Sequence, residues 1–576
     1  MSMLNIGTSA LVTTQASLST TSHNISNANT EGFNRQRVVQ GTQISSFSGG
    51  YYIGSGAQVD SVERIFDQFL SDQVRVFTSQ ERQFDTFSTF AQQVDDLLGS
   101  PELSLNSGLQ GFFDSIQDVA DDPTSIPARQ VMITQADTLA NRFNTLDTQL
   151  NSFNAQVNAN LETEVNNVNV LAKGIAELNQ VIMESTGGSR TPPNDLLDQR
   201  DQLINLLSSY ISVSTNEQNN GAINVFIGNG QGLVVGQSEI ALSVVVDPLD
   251  ASRSEVGYGP SAINVSAQLS GGSIGGLLSV RQDIIAPAQA EIDALAAGMI
   301  QAVNEQHSVG LTIDGNAGGN FFGPNDALLQ DAGSITVAII SPRDIAIALP
   351  VLTATNTNNT GTATLNIKKV DGSDPLFDPL NPLISDLSFS FDSSLIPPGY
   401  TVSYAGETAS IDYNSASENG KSFDLSLLVF TGTPPPTPPA LTITLAGVPT
   451  NTDNFTVGNS TNGGFDSVGD NRNALALGEL QLSKTLNQVN GNGTQSFGDA
   501  YGILVANVAT RTNQSDVGQQ TQKALLDQTT LRYESISGVN LDEEAANLIK
   551  FQQAFQAASQ IITVSNTVFE ALIRAM

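Results

Sequence analysis

"NISNANTEGFNRQ", Asn24–Gln36, sets three asparagines within six residues and follows them with Thr-Glu-Gly-Phe, directly behind a spaced apolar segment. Asparagine suits helix ends and tight turns, because its amide bonds nearby backbone groups and it tolerates a left-handed conformation. A plain turn needs only one such residue. A run of them ahead of Gly32 and Phe33 predicts a defined corner after a helix, and what flanks that corner decides the fold.

Upstream, Leu4, Leu11, Leu18 and Ile25 fall seven apart, the spacing of a coiled-coil seam. Ser, Thr, Gln and Ala fill the intervals, so the seam is narrow and needs a partner. The far end of the chain repeats this logic. Leu541, Leu548, Phe555, Ile562, Phe569 and Met576 also lie seven apart, widened by Phe551, Ala558 and Leu572. Asn540 followed by Glu543 has the form of a capping box, and Asp542, Glu543 and Glu544 suit the positive end of a helix dipole. Most apolar stripes are intramolecular core. Chain ends, however, are normally the least constrained segments, and these are among the most regular in the sequence.

Between the ends, helical stripes run through Phe77, Phe84, Ala91 and Leu98 to Gly99-Ser100-Pro101, and through Leu109, Phe112, Phe113, Ile116 and Val119 to Asp121-Asp122-Pro123. From Pro127, apolar spacing continues past Leu150 and Ile182 to Gly187-Gly188, which predicts one helix of roughly 85 Å at about 1.5 Å per residue. Near Ile211 the texture changes. Ile223, Val225 and Ile227 alternate with other residues, and Asn220-Gly221 and Asn229-Gly230 are hairpin dipeptides. Strand-like segments hold to about residue 465, broken by a helical signal over Leu277–His307, and helical pattern resumes near Asn471. The expected fold is α+β: a long, coiled-coil-like helical rod made by the N- and C-terminal segments, with β-rich domains inserted in the middle. The division reads as 1–60 (axial helix and corner), 61–210 (long helices), 211–345 (β-rich with some helix), 346–465 (Thr/Pro-rich β insert), 466–539 (C-terminal helices of the rod) and 540–576 (C-terminal axial helix).

The balance of 57 acidic against 23 basic residues gives a net charge of -34 over 576 residues, which opposes phosphate backbones and anionic lipid. Neither nucleic acid nor a membrane is an expected partner. Cysteine is absent, which removes disulfides, thiol nucleophiles and thiolate metal sites. No Lys or Arg precedes Arg35, and the apolar residues there are interrupted, so a cleaved secretory signal is not expected.

Catalytic patterns are weak. "GGSIG" at Gly271–Gly275 fits a nucleophile elbow but reads better as a glycine turn, with His23 and His307 the only histidines available to a triad. "DGNAGGN" at Asp314–Asn320 lacks the alternating acids and closing glutamate of a calcium loop, and "GNGQG" at Gly228–Gly232 reads as a hairpin. No catalytic residue, cofactor or metal is expected.

The stretch "ALVTTQASLSTTSHNISNANTEGFNRQRV" resembles the N-terminal signature of the bacterial flagellar axial proteins of the rod, hook and hook-associated class; Asn24, Asn27, Thr30, Gly32 and Phe33 match its Asn-x-x-Asn-x-x-Thr-x-Gly-Phe pattern. "SGVNLDEEAANLIKFQQAFQAASQIITVSNTVFEALIRAM" is similar to the matching C-terminus. "NDLLDQRDQL" (Asn194–Leu203), "GGSIGGLLSVR" (Gly271–Arg281), "DNRNALAL" (Asp470–Leu477) and "SFGDAYGILV" (Ser496–Val505) resemble the hook-associated, junction-forming branch. The likeness is specific over roughly the first 60 and last 110 residues, patchy to about 330, and absent from about 345 to 460.

The resemblance implies a non-enzymatic structural subunit of the flagellum outside the cell, exported through the flagellar type III channel. It would assemble as a ring of about eleven copies between the hook protein and the second junction protein and filament. It further implies assembly roles for Leu4, Leu11, Leu18, Ile25 and the corner residues. Leu541, Leu548, Phe551, Phe555, Ile562, Phe569 and Leu572 would serve assembly and, before it, a cytoplasmic export chaperone. Another axial subunit, from rod or hook, is the alternative; a coiled-coil surface adhesin would not explain both terminal signatures.

Overall fold

A computed structural model describes residues 2–48, 51–186, 193–370, 383, 385–432, 435–439, 441–451, 453–459, 468–486 and 493–575. From the N-terminus, α1 (Ser2–Ser26) leads into β1 (Gln36–Thr42), the short strands β2 (Ser46–Ser48) and β3 (Tyr51–Ile53), and β4 (Ala57–Arg64). The helices α2 (Gln68–Gly99), α3 (Leu105–Asp121), α4 (Ile126–Thr186) and α5 (Asn194–Tyr210) follow. The strands β5 (Val213–Glu217), β6 (Ile223–Ile227), β7 (Gln231–Val235), β8 (Ser238–Glu239), β9 (Leu242–Val246), β10 (Ser254–Tyr258) and β11 (Ile263–Asn264) precede α6 (Gly272–Val280), which runs through a π-helical turn at Arg281–Ile285 into α7 (Ala286–Ser308). After β12 (Phe322–Gly323) and β13 (Thr336–Val337) come β14 (Val351–Thr355), β15 (Thr364–Val370), β16 (Leu387–Asp392), β17 (Gly399–Tyr404), β18 (Glu407–Asp412), β19 (Lys421–Asp424), β20 (Leu441–Ala446) and β21 (Asn454–Asn459). The chain closes on α8 (Arg472–Glu479), α9 (Phe497–Ser537) and α10 (Leu541–Ala575). This is the α+β order expected: long helices first and last, β structure between.

Glycine and proline set the ends of the helices as their backbone chemistry requires. α2 stops at Gly99 and α3 at Asp121, ahead of Pro123, while α4 takes Pro127 in its first turn, where no intrahelical N–H is needed. At 61 residues α4 extends about 90 Å. Its expected stop, Gly187-Gly188, lies outside the described residues. The hairpin dipeptides work as read: Gly221 and Gly230 carry φ of +85° and +101° between β5, β6 and β7. "GGSIG" is a glycine turn into α6, where a Cβ on Gly272 would fall 2.2 Å from the Tyr210 carbonyl carbon. One expectation needs correction. The C-terminal helical pattern is not continuous from Asn471, because the described residues between α8 and α9 are non-helical and pair locally, with Leu486 bridging Gln495.

The chain packs as two units. The first holds residues up to 92, 153–284 and those from 510 on. Its sheets are the β1–β4 pair, the β2–β3 hairpin, a four-stranded sheet in sequence order β5 to β8, and β11-β10-β9. Val157, Leu161, Val168 and Ile175 of α4 are buried in it, as are Ile204 and Leu207 of α5.

The second unit holds residues 93–152 and 285–509. One part centres on aromatic rings: Phe112, Phe113, Phe321 and Phe322 sit 5.0–5.7 Å apart edge-on or tilted, with Phe497 against Phe113. The other part is a β-sandwich. A five-stranded sheet ordered β14-β21-β16-β17-β18 and a three-stranded sheet ordered β15-β20-β19 share one core of Val351, Phe389, Tyr400, Phe455, Ile443 and Leu445 among others. The alternating burial along β16, β17, β20 and β21 is what two facing sheets demand.

Candidate functional site

The asparagine corner is a clamp. Asn24, in the last turn of α1, turns its amide toward Gln36 at the start of β1: its Nδ2 donates to the Gln36 carbonyl at 2.9 Å and its Oδ1 accepts from the Gln36 N–H at 3.0 Å. One side chain thus replaces a strand neighbour and ties the helix end to the sheet. Asn27 Nδ2 donates to the His23 carbonyl at 3.0 Å, Thr30 Oγ1 donates to Asn27 Oδ1 at 3.2 Å, and Phe33 sets its ring edge-on to His23 at 5.4 Å. The left-handed conformation falls to Gly32, at φ +78°, rather than to an asparagine. The asparagines act here through their side-chain bonds.

The motif Asn194–Leu203 is the floor of this corner. It forms the first turns of α5, whose Asp195, Asp198 and Asp201 recur every three residues along one side. Asp198, buried, accepts from the Asn34 N–H at 3.0 Å and from Asn34 Nδ2 at 2.6 Å, and Arg64 reaches both Asp198 and Asp201 at 3.1 and 2.5 Å. Asp201 also takes Arg75 at 3.2 Å. Asp195 accepts from Gln36 Nε2 at 2.8 Å and sits 3.2 Å from His23. Burial pushes the Asp198 carboxyl above the usual range against the pull of Asn34 and Arg64. For Arg64, burial pulls the guanidinium down, but the Asp201 and Asp198 carboxylates outweigh it and the net direction is up.

A third segment closes the clamp. Tyr533, near the end of α9, donates its hydroxyl to Asn34 Oδ1 at 2.6 Å; burial, with Asp201 nearby, pushes that phenol up to about 12. The Arg35 N–H donates to the Ser537 carbonyl, and the Arg35 side chain reaches Glu544 at 2.7 Å and Glu543 at 2.8 Å in the first turn of α10. This corrects the capping box. Asn540 does cap α10, accepting from the Asp542 N–H at 3.0 Å, but the carboxylate of Glu543 is turned to Arg35.

Beyond the corner, α1 and α10 pack antiparallel. Arg35, just past the end of α1, holds the start of α10, while at the other end a Cβ on Gly7 would fall 2.9 Å from Ile562. The face of α1 that is fully buried is not the leucine seam but Gly7, Thr13, Thr14, Ser17, Thr21 and Asn24. Small side chains let the backbones approach closely, and their hydroxyls are satisfied on the preceding turn: Thr14 on Ala10, Ser17 on Thr13. Leu11, Leu18 and Ile25 flank this face half-buried, and Leu4 is exposed. On α10, Leu548, Phe551, Phe555 and Ile562 are half-buried and Ala558 is buried, whereas Leu541 and Phe569 are exposed; the Leu572 side chain lies outside the described residues. Asn27 and Phe33 are half-buried, Thr30 and Gly32 exposed. A hollow of about 470 Å³ opens between α1, β1 and α10 beside Arg35, Arg37 and Phe551.

Spacing therefore found the corner and both helices, but missed Arg64, Asp198, Asp201 and Tyr533. A visible signal existed: acids every three residues on a predicted helix, awaiting arginines. Among the described residues no helix is long and apolar enough to cross a membrane, and no group of three or more His, Asp or Glu is placed to hold a metal.

Comparison with known proteins agrees with this geometry. A family profile described as "Flagellar hook-associated protein FlgK helical domain" matches residues 91–322. Profiles for "Flagella basal body rod protein" and "Flagellar basal body rod FlgEFG protein C-terminal" match residues 4–34 and 532–575, the segments that carry α1, the corner and α10. The chain is 32% identical to "Flagellar hook-associated protein 1" of Escherichia coli strain K12 over 99% of both chains, and equally so to that of Salmonella typhimurium. The Bacillus subtilis protein of the same name is 31% identical over 62% of this chain and 78% of its own. The solved "flagellar hook junction protein FlgK from Burkholderia pseudomallei" superposes with a TM-score of 0.68 at 24% identity, covering 81% of this chain and all of the other, and shares its fold. The enterobacterial alignments run through residues 345–460 as well, where motifs alone show no likeness.

Proposed function

The chain belongs to the family of flagellar hook-associated protein 1, a structural component of the bacterial flagellum, and from that premise we propose that it joins hook to filament as one ring of axial subunits. The ring holds about eleven copies, a heterologous interface repeated to closure. The subunit travels unfolded through the flagellar type III channel, its C-terminal stripe covered beforehand by an export chaperone, and works outside the cell between the hook protein and the second junction protein. It performs no catalysis. Residues 346–465 are a surface insert, and 1–60 with 540–576 are the axial segments of the six-part division.

The observation that carries this reading is the α1–α10 pair. It is held at one end by the Asn24–Gln36 and Arg35–Glu544 contacts, yet leaves Leu4, Val564, Val568, Phe569 and Ile573 exposed. A soluble monomer has no reason to arrange such a surface at a clamped corner, and a tube of repeated subunits does. The rod-type profiles at both ends favour a rod or hook subunit as the second reading. Electron microscopy of a strain lacking the gene separates the two. Complete hooks without filaments support the junction role. Absent hooks point to a rod or hook subunit, and normal filaments refute both.

A further inference from the structure

The motif "DNRNALAL", Asp470–Leu477, has no task in the reading above. Its Asp470, Arg472 and Asn473 meet the segment 345–351, through which the chain enters the β-sandwich. The first and last strands of that sandwich are neighbours, with Val351 opposite Asn459. A connection between a domain and its insert ordinarily runs exposed over the surface. This one is core. Ile345, Ala346, Ile347, Ala348, Leu349 and Val351 are each 2% exposed or less.

The backbone of this segment is held from several sides. Arg129 of α4 donates to the Ile345 carbonyl at 2.6 Å, and His307 of α7 accepts from the Ala346 N–H at 2.8 Å. Ala348 and Leu311 exchange both backbone bonds, at 2.8 and 3.2 Å. The motif adds to this. Asp470 Oδ2 accepts from the Leu349 N–H at 3.0 Å, and Arg472, itself paired with Asp470, donates to the Val351 carbonyl at 2.7 Å. Asn473, wholly buried, donates its Nδ2 to the Ala346 carbonyl at 2.6 Å and its N–H to the Ile347 carbonyl at 2.9 Å. Its Oδ1 accepts from Gln306 of α7 at 2.7 Å. Asn471 reaches the Ala120 carbonyl, in the last turn of α3, at 2.7 Å. Glycine makes the room: a Cβ on Gly310 would fall 2.2 Å from Asn473 Nδ2.

We propose that Asp470–Asn473 is a lock that fixes the angle of the β-sandwich to α3, α7 and α8, so that sandwich and helices move as one rigid arm. A hinge absorbs motion at a few residues whose backbone torsions are free to change. In 345–351 such a change would strip buried donors and acceptors of their partners, which is costly. Asn473 bonds the incoming segment with one end of its amide and α7 with the other, and so couples the two directly. In a ring of copies such an arm projects at one repeated angle. The lock belongs to the single chain, however, and its test does not depend on the ring.

The cysteine-free chain accepts nitroxide labels at two chosen exposed positions, Glu291→Cys on α7 and Ser410→Cys on β18. Pulsed electron spin resonance on the purified chain then reads the distance distribution between helix and sandwich. The expected result is a single narrow peak, which Asn473→Ala widens about twofold or more while the sandwich transition in denaturant is still present. A broad or multiple distribution in the labelled parent overturns the proposal. So does an Asn473→Ala distribution as narrow as the parent's, since burial alone would then set the angle. If Asn473→Ala abolishes the sandwich transition, Arg472→Ala, which spares the buried amide, takes its place and is judged by the same two outcomes.

Discussion

The α1–α10 pair and the β-sandwich of strands β14–β21 bury their side chains by opposite means. The sandwich closes on itself: Phe389, Tyr400, Val402, Phe455, Ile443 and Leu445 are almost wholly removed from solvent, and Tyr400 meets Phe391, Tyr413 and Phe455 ring to ring. The helix pair buries glycine, threonine and serine and leaves its large apolar residues half or wholly exposed. Burial of large apolar groups is what stabilises a domain alone. One region is therefore a self-sufficient core. The other has shape and polar fastening but saves its apolar surface for a partner.

The largest expected difference comes from removing one phenylalanine in each region. Phe455 is 1% exposed, and Phe455→Ala should cost about 3–5 kcal/mol in the sandwich transition, followed by tyrosine near-UV signal in denaturant. Phe555→Ala, at a half-buried position, should leave that transition in place. Equal losses would mean that both regions are ordinary core, and the contrast would fail.

Acid should next pick out the root of the sandwich. His307 is fully buried, with its Nδ1 2.6 Å from the Gly319 carbonyl and its Nε2 accepting from the Ala346 N–H, so the neutral ring is the one bonded. Burial lowers its pKa to about 4 from 6.5. Between those values the unfolded chain binds a proton that the folded one does not. The stability from the neutral ring is thus complete above pH 6.5 and lost as pH falls toward 4, by about 3 kcal/mol at most. His307→Gln should flatten the melting curve of this unit across that window. An unchanged slope would remove His307 from the account.

Asp198→Ala should act on the clamp alone. It leaves the Asn34 N–H and part of Arg64 without an acceptor, at about 1–3 kcal/mol per buried donor. Hydrogen exchange should quicken at Asn34 and along α1, with the sandwich amides unaffected. Protection of α1 equal to that of the parent chain would show that the α10 contacts suffice to hold it.

The two regions were also unequally legible. Helix ends and the corner could be read because glycine, proline and asparagine act on their own backbone neighbours, as at Gly99, Pro127 and Asn27. The floor of the corner could not, because Asp198 meets Asn34 across 164 residues and only folding brings them together. The heptads located α1 and α10 correctly but pointed to leucine as the buried face, since periodicity cannot weigh close backbone approach at Gly7 or a hydroxyl bonded to its own helix. In the sandwich, alternation marks strands such as β17 and β21, but the order β14-β21-β16 depends on pairings that no local pattern contains.

Phe569→Ala should have the smallest effect on the monomer and one of the largest on assembly. Phe569 stands seven positions past Ile562, about 10 Å further along the axis, in register with the half-buried Leu548, Phe555 and Ile562, yet it is itself 62% exposed. Its truncation should leave both units melting within about 0.5 kcal/mol of the parent chain, as for a surface site. If this exposed end of α10 docks into a chaperone groove and later against a neighbouring subunit, the same truncation should weaken each complex by about 2 kcal/mol, roughly thirtyfold. Calorimetric titration with the chaperone, a melt of the free chain and a count of attached filaments separate the outcomes. A marked fall in melting temperature with chaperone affinity intact would mean that Phe569 finds its cover within its own chain, and the distinction between the helix pair and the sandwich would fail at the position where it should be sharpest.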